Sequence, residues 1–88
     1  MDAQPEAELD ARGLLCPLPV LKARKRLAPL LPGAVLRVLA DDPAAEVDIP
    51  HFCREAGHEY LGASDLGHGC HAYLIRRGSL APRRPVRG

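Results

Sequence analysis

Apolar and polar positions divide the chain into alternating strand-like and helix-like segments. Leu9 and Ala11 alternate with charged neighbours, which predicts a short strand over 8–11. From 17 to 31, apolar positions recur at helical spacing opposite a basic side, which predicts an amphipathic helix. Its apolar positions are Val20, Ala23, Leu27, Leu30 and Leu31. A strand followed by one amphipathic helix therefore begins the fold.

The rest of the chain predicts a strand, a second helix and two further strands. Residues 34–40 are almost all aliphatic, as is typical of a central strand. Asp48 is expected to cap the second helix, with Pro50 in its first turn and Gly57 at its end. The apolar stripe of this helix is Ile49, Phe52, Cys53 and Ala56. Strands are predicted over 58–64 and 70–77, joined by a glycine-rich connection over 65–69.

The first strand, helix and second strand form a β-α-β unit, in which functional sites collect in loops after the carboxyl ends of the strands. One such loop turns at Gly13, whose backbone freedom suits a tight turn, and reaches Cys16. The other loop contains Asp41 and Asp42. We therefore expect Cys16 and the two aspartates on the same rim of the sheet.

Cys16 stands where the first helix begins, directly before Pro17 and close to Pro19. Backbone N–H groups of a first helical turn have no partner within the helix, so prolines are tolerated there and fix the turn. We expect Cys16 at the N-cap position, where the positive end of the helix dipole favours the thiolate. This predicts a pKa for Cys16 about one unit below the ordinary ~8.5, enough for a nucleophile at neutral pH.

Three motifs connect this chain to a known family. They are Leu9-Asp10-x-Arg12-Gly13-Leu14-x-Cys16-Pro17-x-Pro19-Val20, then Ala40-Asp41-Asp42-Pro43, then Asp48-Ile49-Pro50-x-Phe52-Cys53. Together they resemble the TusA/SirA family of small sulfur-carrier proteins, over about residues 9–77. Leu18 stands where members of the thiouridine pathway often have Glu, so the resemblance favours the family over any one pathway.

The resemblance implies an α+β fold, a two-layer α/β sandwich in the order β-α-β-α-β-β. A four-stranded mixed sheet would be covered on one face by two helices. A single domain is expected over 8–78, with flexible termini over 1–7 and 79–88.

The resemblance also implies a persulfide carrier of the sulfurtransferase type that needs no cofactor, and not a stand-alone turnover enzyme. Cys16 would accept sulfane sulfur from a cysteine desulfurase or a rhodanese-like protein and pass it to an acceptor protein. The destination stays open among tRNA thiolation, molybdenum cofactor assembly, sulfur oxidation and selenium pathways.

Charged residues near the cysteine leave two interpretations open. Arg24 falls within the apolar arc of the first helix, where it either extends its head to solvent or pairs with Asp41 or Asp42. The two aspartates are either turn and cap residues or groups that hold the rim around Cys16. The family carries a basic residue at the position of Arg24, which favours the pair.

Basic side chains support the main alternative from another functional class. Lys22, Lys25 and Arg26 share one helix face, which we expect to steer acidic partner proteins towards Cys16. With the Arg-rich tail from Gly78 onward, the same face is also compatible with a regulatory or RNA-binding module. The chain has only one Phe, two Tyr and no Trp to stack on bases, so direct contact with nucleic acid is not favoured.

Length and composition restrict the remaining classes. A chain of 88 residues forms one domain that buries only about 60–65% of its unfolded surface. The acidic amino end lacks the basic and apolar regions of a secretory signal, and no apolar run is long enough to span a bilayer. We expect a cytoplasmic protein without a membrane partner, whose three cysteines are reduced thiols.

Two other cysteine chemistries are not supported by the sequence. Cys70 and His71 are consecutive in a predicted strand and would point to opposite faces, so no metal site is predicted. A cysteine protease needs a histidine oriented on the nucleophile, and no local pattern places one near Cys16. Cys53, on an apolar stripe, is expected to be an inert core residue.

Overall fold

The computed structural model describes residues 5–78, and strands and helices follow one another there in the order β-α-β-α-β-β. They are β1 Ala7–Asp10, α1 Leu18–Leu27, β2 Val35–Ala40, α2 Ala45–Ala56, β3 Glu59–Gly67 and β4 Cys70–Arg76. No helix in this described part of the chain is long and apolar enough to cross a membrane. Flexible termini were predicted over 1–7 and 79–88, of which 1–4 and 79–88 lie outside the described residues. Ala7 instead belongs to β1, and the Glu6 N–H donates to the Val35 carbonyl at 2.8 Å, so the ordered domain begins before residue 8.

The four strands form one mixed sheet in the order β1-β2-β4-β3. Strand β1 runs parallel to β2, with Leu9 opposite Val38, while β4 runs antiparallel to both β2 and β3. A parallel pair requires a crossover connection, and α1 provides it. The sheet and its two helices confirm the predicted α+β fold.

One hydrophobic core joins the sheet to both helices. Leu36 and Val38 alternate along β2, and Tyr73 and Ile75 alternate along β4, so each pair points to the same face. The helices pack on that face with Ala23, Leu27, Ala45, Ile49, Phe52 and Cys53. The two helices therefore cover one face of the sheet, as predicted.

Helix α1 ends at Leu27, four residues before its predicted end at Leu31. Pro29 follows directly after the capping residue and lacks the N–H that would continue the helical ladder. Arg77 Nε donates a hydrogen bond to the Leu27 carbonyl at 3.0 Å, which satisfies a group left free by the helix end. Leu31 is 77% exposed, so its predicted place on the apolar stripe is wrong.

Helix α2 begins at Ala45, so the prediction that Asp48 caps it is wrong. Asp48 is the fourth residue of the helix, and Pro50 lies inside the helix instead of in its first turn. The start of α2 is held by Asp42, whose Oδ1 accepts a hydrogen bond from the Ala44 N–H at 3.2 Å. Asp48 is therefore free of a capping role.

The ends of α2 and β3 are set by residues with positive φ. Gly57 ends α2 with a φ of +82°, in the left-handed region predicted for a glycine at that place. Strand β3 continues to Gly67, which corrects the loop predicted over 65–69. Only His68 and Gly69, with φ of 53° and 79°, form the turn to β4, as is typical of a tight hairpin.

Candidate functional site

Hydrogen bonds join the loop that carries Cys16 to the loop that carries the two aspartates. The Gly13 N–H donates to Asp41 Oδ1 at 3.0 Å, and the Cys16 N–H donates to Asp42 Oδ2 at 2.6 Å. Gly13 has a φ of +84°, which a residue with a side chain rarely adopts. The predicted common rim of Cys16, Asp41 and Asp42 is confirmed.

Asp42 serves both of the roles considered for the aspartates. One carboxylate oxygen accepts the Ala44 N–H at the start of α2, and the other accepts the Cys16 N–H. The side chain therefore connects the start of one helix to the loop before the other. Asp41 contributes the single bond to Gly13.

We expect Asp42→Ala to lower the free energy of unfolding by about 1–3 kcal/mol, because it removes two hydrogen bonds of about 0.5–1.5 kcal/mol each. Asp41→Ala removes one bond and should lower it by about half as much. Urea unfolding followed by circular dichroism measures both. The bridging role assigned to Asp42 is wrong if both variants unfold at the same urea concentration as the native protein.

Cys16 is exposed and lies one residue before the helix cap. The N-cap residue is Pro17, followed by Leu18 and Pro19 in the first turn, so the predicted N-cap position of Cys16 is wrong by one residue. The peptide bond between Cys16 and Pro17 is cis. The thiol is accessible to another protein while its backbone is held by Asp42.

Carboxylates raise the pKa of Cys16, so the predicted lowering is wrong. The largest cause is a hydrogen bond between the thiol and the Asp48 carboxylate. Partial loss of solvent and the negative charges of Asp48 and Asp42 act in the same direction. Negative charges disfavour a thiolate. The carboxylates therefore favour the thiol over the thiolate.

A groove of about 390 Å³ between the two helices begins at Cys16. One wall comes from the first helix and the residue that caps it, through Pro17, Val20 and Arg24. The other wall comes from α2, through Asp48, His51, Phe52 and Glu55. These four positions are spaced i, i+3, i+4 and i+7, so they share one face of the helix.

The pair predicted between Arg24 and Asp41 or Asp42 does not form. The Arg24 guanidinium lies 5.5 Å from the centroid of the Phe52 ring, in the geometry of a cation–π contact. Among residues 5–78, the ion pairs join other residues. Arg24 therefore extends an exposed head across Phe52, as in the alternative interpretation.

Comparison with known proteins agrees with the fold and shows the family. The family profile described as "Sulfurtransferase TusA" matches residues 7–77. The chain belongs to the TusA sulfurtransferase family. It is 46% identical over 72 residues to the sulfur carrier protein TusA of Pseudomonas entomophila (strain L48), covering 82% of this chain and 89% of that protein. A solved structure of a SirA-like protein from Desulfitobacterium hafniense is similar with a TM-score of 0.73 and 29% identity, covering 82% of this chain and 97% of that one. The predicted family is confirmed.

Two features of this TusA-family chain were not predicted from the sequence: Asp48 lies in the same groove as Cys16, and α2 forms one wall of that groove. A signal was available, because Asp48, His51, Phe52 and Glu55 recur at helical spacing beside the apolar stripe. The prediction that Asp48 caps the helix placed it before the helix and so outside that face. The position of α2 beside Cys16 is a tertiary feature that the local pattern does not contain.

The other two cysteines of the TusA-family chain differ from Cys16 in burial. Cys53 is buried in the core, which confirms its predicted position, and burial raises its pKa to about 11, which disfavours the reactive thiolate. Cys70 is half-buried at the start of β4. Within the described range 5–78, no three His, Cys, Asp or Glu side chains are grouped so that they could hold a metal ion.

Proposed function

We propose that this protein carries sulfane sulfur as a persulfide on Cys16 and passes it to a cysteine of an acceptor protein. The proposal is carried by the exposed Cys16 thiol on a loop that Asp42 holds at the rim of the sheet, in a chain of the TusA family. A relay residue must be reached by two different proteins in turn. An exposed thiol on a fixed loop meets that need.

The chemistry consists of two exchanges at sulfur. The Cys16 thiolate attacks the outer sulfur of a donor persulfide, the new S–S bond forms, and the donor cysteine leaves as a thiolate. An acceptor thiolate then attacks the outer sulfur on Cys16, and Cys16 leaves as a thiolate. One sulfur atom is transferred from donor to acceptor without net oxidation or reduction, so the proposal involves no cofactor.

A carrier must keep its sulfur until the acceptor arrives. A thiol beside Cys16–S–SH would attack the inner sulfur, form a disulfide and release sulfide. Cys53 is only 1% exposed and belongs to the core, and Cys70 belongs to a strand. Their positions favour storage of sulfur on Cys16.

The surface around Cys16 suits contact with other proteins. Leu15, Leu18 and Leu21 are 70%, 43% and 46% exposed, and Leu18 and Leu21 are neighbours on α1 at i, i+3 spacing. A group of exposed leucines beside Cys16 is typical of an interaction surface. We propose that these leucines contact the donor and acceptor proteins. By family resemblance the donor is a cysteine desulfurase or a rhodanese-like protein, and the relay works in the reducing cytoplasm, where free thiols persist.

The basic face of α1, formed by Lys22, Lys25 and Arg26, is exposed and continues from this surface. We expect Lys22→Glu and Lys25→Glu to slow loading from an acidic donor protein several-fold at low salt, and the double variant to slow it further, because surface charges mainly set association rates. Arg54→Glu on α2 changes the net charge as much as either single variant and serves as control. Loading rates are measured as a function of salt concentration to test whether this face steers the donor. Equal rates for all variants at low salt would contradict such steering.

Intact-mass measurement after incubation with a persulfide donor tests the proposed function. The native protein should gain one sulfur atom, located on the peptide that contains Cys16, and a thiol reductant should remove it. A gain on the Cys70 peptide, or no gain from any donor, would contradict the proposal.

A further inference from the structure

Two carboxylates lie next to the Cys16 thiol, and they are bound differently. Both oxygens of Asp42 accept backbone N–H groups, so this carboxylate is committed to the loop. Asp48 is half-buried in the groove wall and, among residues 5–78, takes part in no ion pair. It lines the same groove as Cys16 and is the largest cause of the raised pKa of the thiol. Asp48 is thus the carboxylate that a partner can reach and neutralise.

The other structural role available to Asp48 is one that a neighbouring acidic residue also fills. It stands in the first turn of α2, where an acid favours the helix dipole, but Glu46 already supplies a negative charge there. Glu46 extends instead towards His71, whose Nε2 lies 3.9 Å from Glu46 Oε2. Glu46 therefore shares the helix-dipole role of Asp48 without its contact to the thiol.

The other charged groups that face the thiol come from both helices. His51 and Glu55 line the groove from α2, and Arg24 lines it from α1. The Arg24 guanidinium lies over the Phe52 ring, so it does not pair with Asp48. The charges that raise the pKa of Cys16 are those of Asp48 and Asp42.

We propose that Asp48 is a gate on Cys16: in the free carrier its carboxylate, in the same groove as the thiol, disfavours negative charge on Cys16 and on approaching sulfur compounds, and a partner protein opens the gate by placing an arginine or lysine against Asp48. The gate rests on the proposed function of Cys16 as the sulfur-carrying residue. It makes Asp48 a positioning residue for the proton of that thiol. It also defines the partner, because the reactive cysteine of a donor must be presented with a neighbouring cation.

The partner's cation offsets the charge of Asp48, and the Cys16 thiol loses its proton to solvent. The thiolate attacks the outer sulfur of the partner's persulfide, the S–S bond of the partner breaks, and the partner's cysteine leaves as a thiolate that takes up a proton from solvent. Low-molecular-weight persulfides with a net negative charge bring no such cation and load the carrier slowly.

The first test measures alkylation of Cys16 by neutral iodoacetamide against pH, with the modified peptide identified by mass spectrometry. Removing one neighbouring negative charge should lower the midpoint in Asp48→Asn by about one unit. The thiolate fraction at pH 7 then rises about tenfold while intrinsic nucleophilicity falls about threefold, so the rate rises about threefold. Glu46→Gln, the first-turn control, should keep the native profile, and circular dichroism confirms that both variants are folded.

The second test compares a cationic and an anionic methanethiosulfonate at low salt. The native protein should react several-fold faster with the cationic reagent, and this preference should fall in Asp48→Asn and reverse in Asp48→Lys. Equal rates with both reagents in the native protein would overturn the gate. So would native alkylation behaviour in Asp48→Asn, or slower alkylation, which would make Asp48 a base for the thiol.

Neither test uses a sulfur donor. The gate is therefore tested by the reactivity of the Cys16 thiol towards iodoacetamide and the methanethiosulfonates, while the mass gain on Cys16 tests the proposed function separately.

Discussion

Cys16→Ser should abolish sulfur loading completely. A hydroxyl group cannot form a persulfide, and the remaining cysteines do not replace Cys16, because Cys53 is buried with a pKa raised to about 11 and Cys70 is half-buried in β4. After incubation with a persulfide donor, the intact mass of this variant should equal that of the untreated variant.

Cys70→Ser is the matched control for this prediction. This variant also removes one thiol from the chain, and it should load sulfur to the native level. If Cys16→Ser still loads sulfur and the double variant Cys16→Ser, Cys70→Ser does not, the sulfur is carried by Cys70. That result would contradict the assignment of Cys16.

Phe52→Ala should lower the free energy of unfolding by about 3–5 kcal/mol, the usual cost of truncating a buried aromatic residue. Phe52 is 4% exposed, packs in the core and lines the groove beside Cys16. A domain of this size has about 5–15 kcal/mol of stability in total, so a large part of it is lost. Urea unfolding measures the change, and Phe52→Leu, which keeps most of the apolar contact, should lose much less.

The contact between Phe52 and Arg24 is separated from packing by a double-mutant cycle. Arg24→Ala in the native and Phe52→Leu backgrounds should give a coupling of about 0.5–1 kcal/mol, typical of an exposed cation–π pair. A loss below about 1 kcal/mol for Phe52→Ala would mean that this ring is not the core residue described above.

Local patterns predicted most of the fold because each element has a clear period. The aliphatic run of β2, the stripe of α2 and the glycine after it all have direct counterparts in the structure. The early end of α1 was also available in the sequence, since Pro29 interrupts the hydrogen-bond ladder before the apolar pattern stops. The helical period alone extended the helix to Leu31.

The charge at Cys16 could not be predicted in the same way. The helix-dipole prediction used only residues near the cysteine in sequence, whereas the charges that raise its pKa come from Asp42, in the loop after β2, and from Asp48, in α2. The partner of Arg24 could not be predicted from nearby residues either, because Arg24 contacts Phe52 of α2 and not an aspartate. Helix spacing places side chains on a face, and tertiary packing decides what that face meets.

A mass gain alone does not identify the atoms that were added to the protein, because two oxygen atoms have nearly the mass of one sulfur atom. The most direct test of sulfur carriage is therefore to load the protein, remove the donor and treat it with cyanide, which takes sulfane sulfur as thiocyanate. The persulfide on Cys16 predicts one thiocyanate per loaded chain and a return to the unloaded mass, with none from Cys16→Ser. A mass gain that persists without thiocyanate would identify an oxidised cysteine and contradict a role in sulfur transfer.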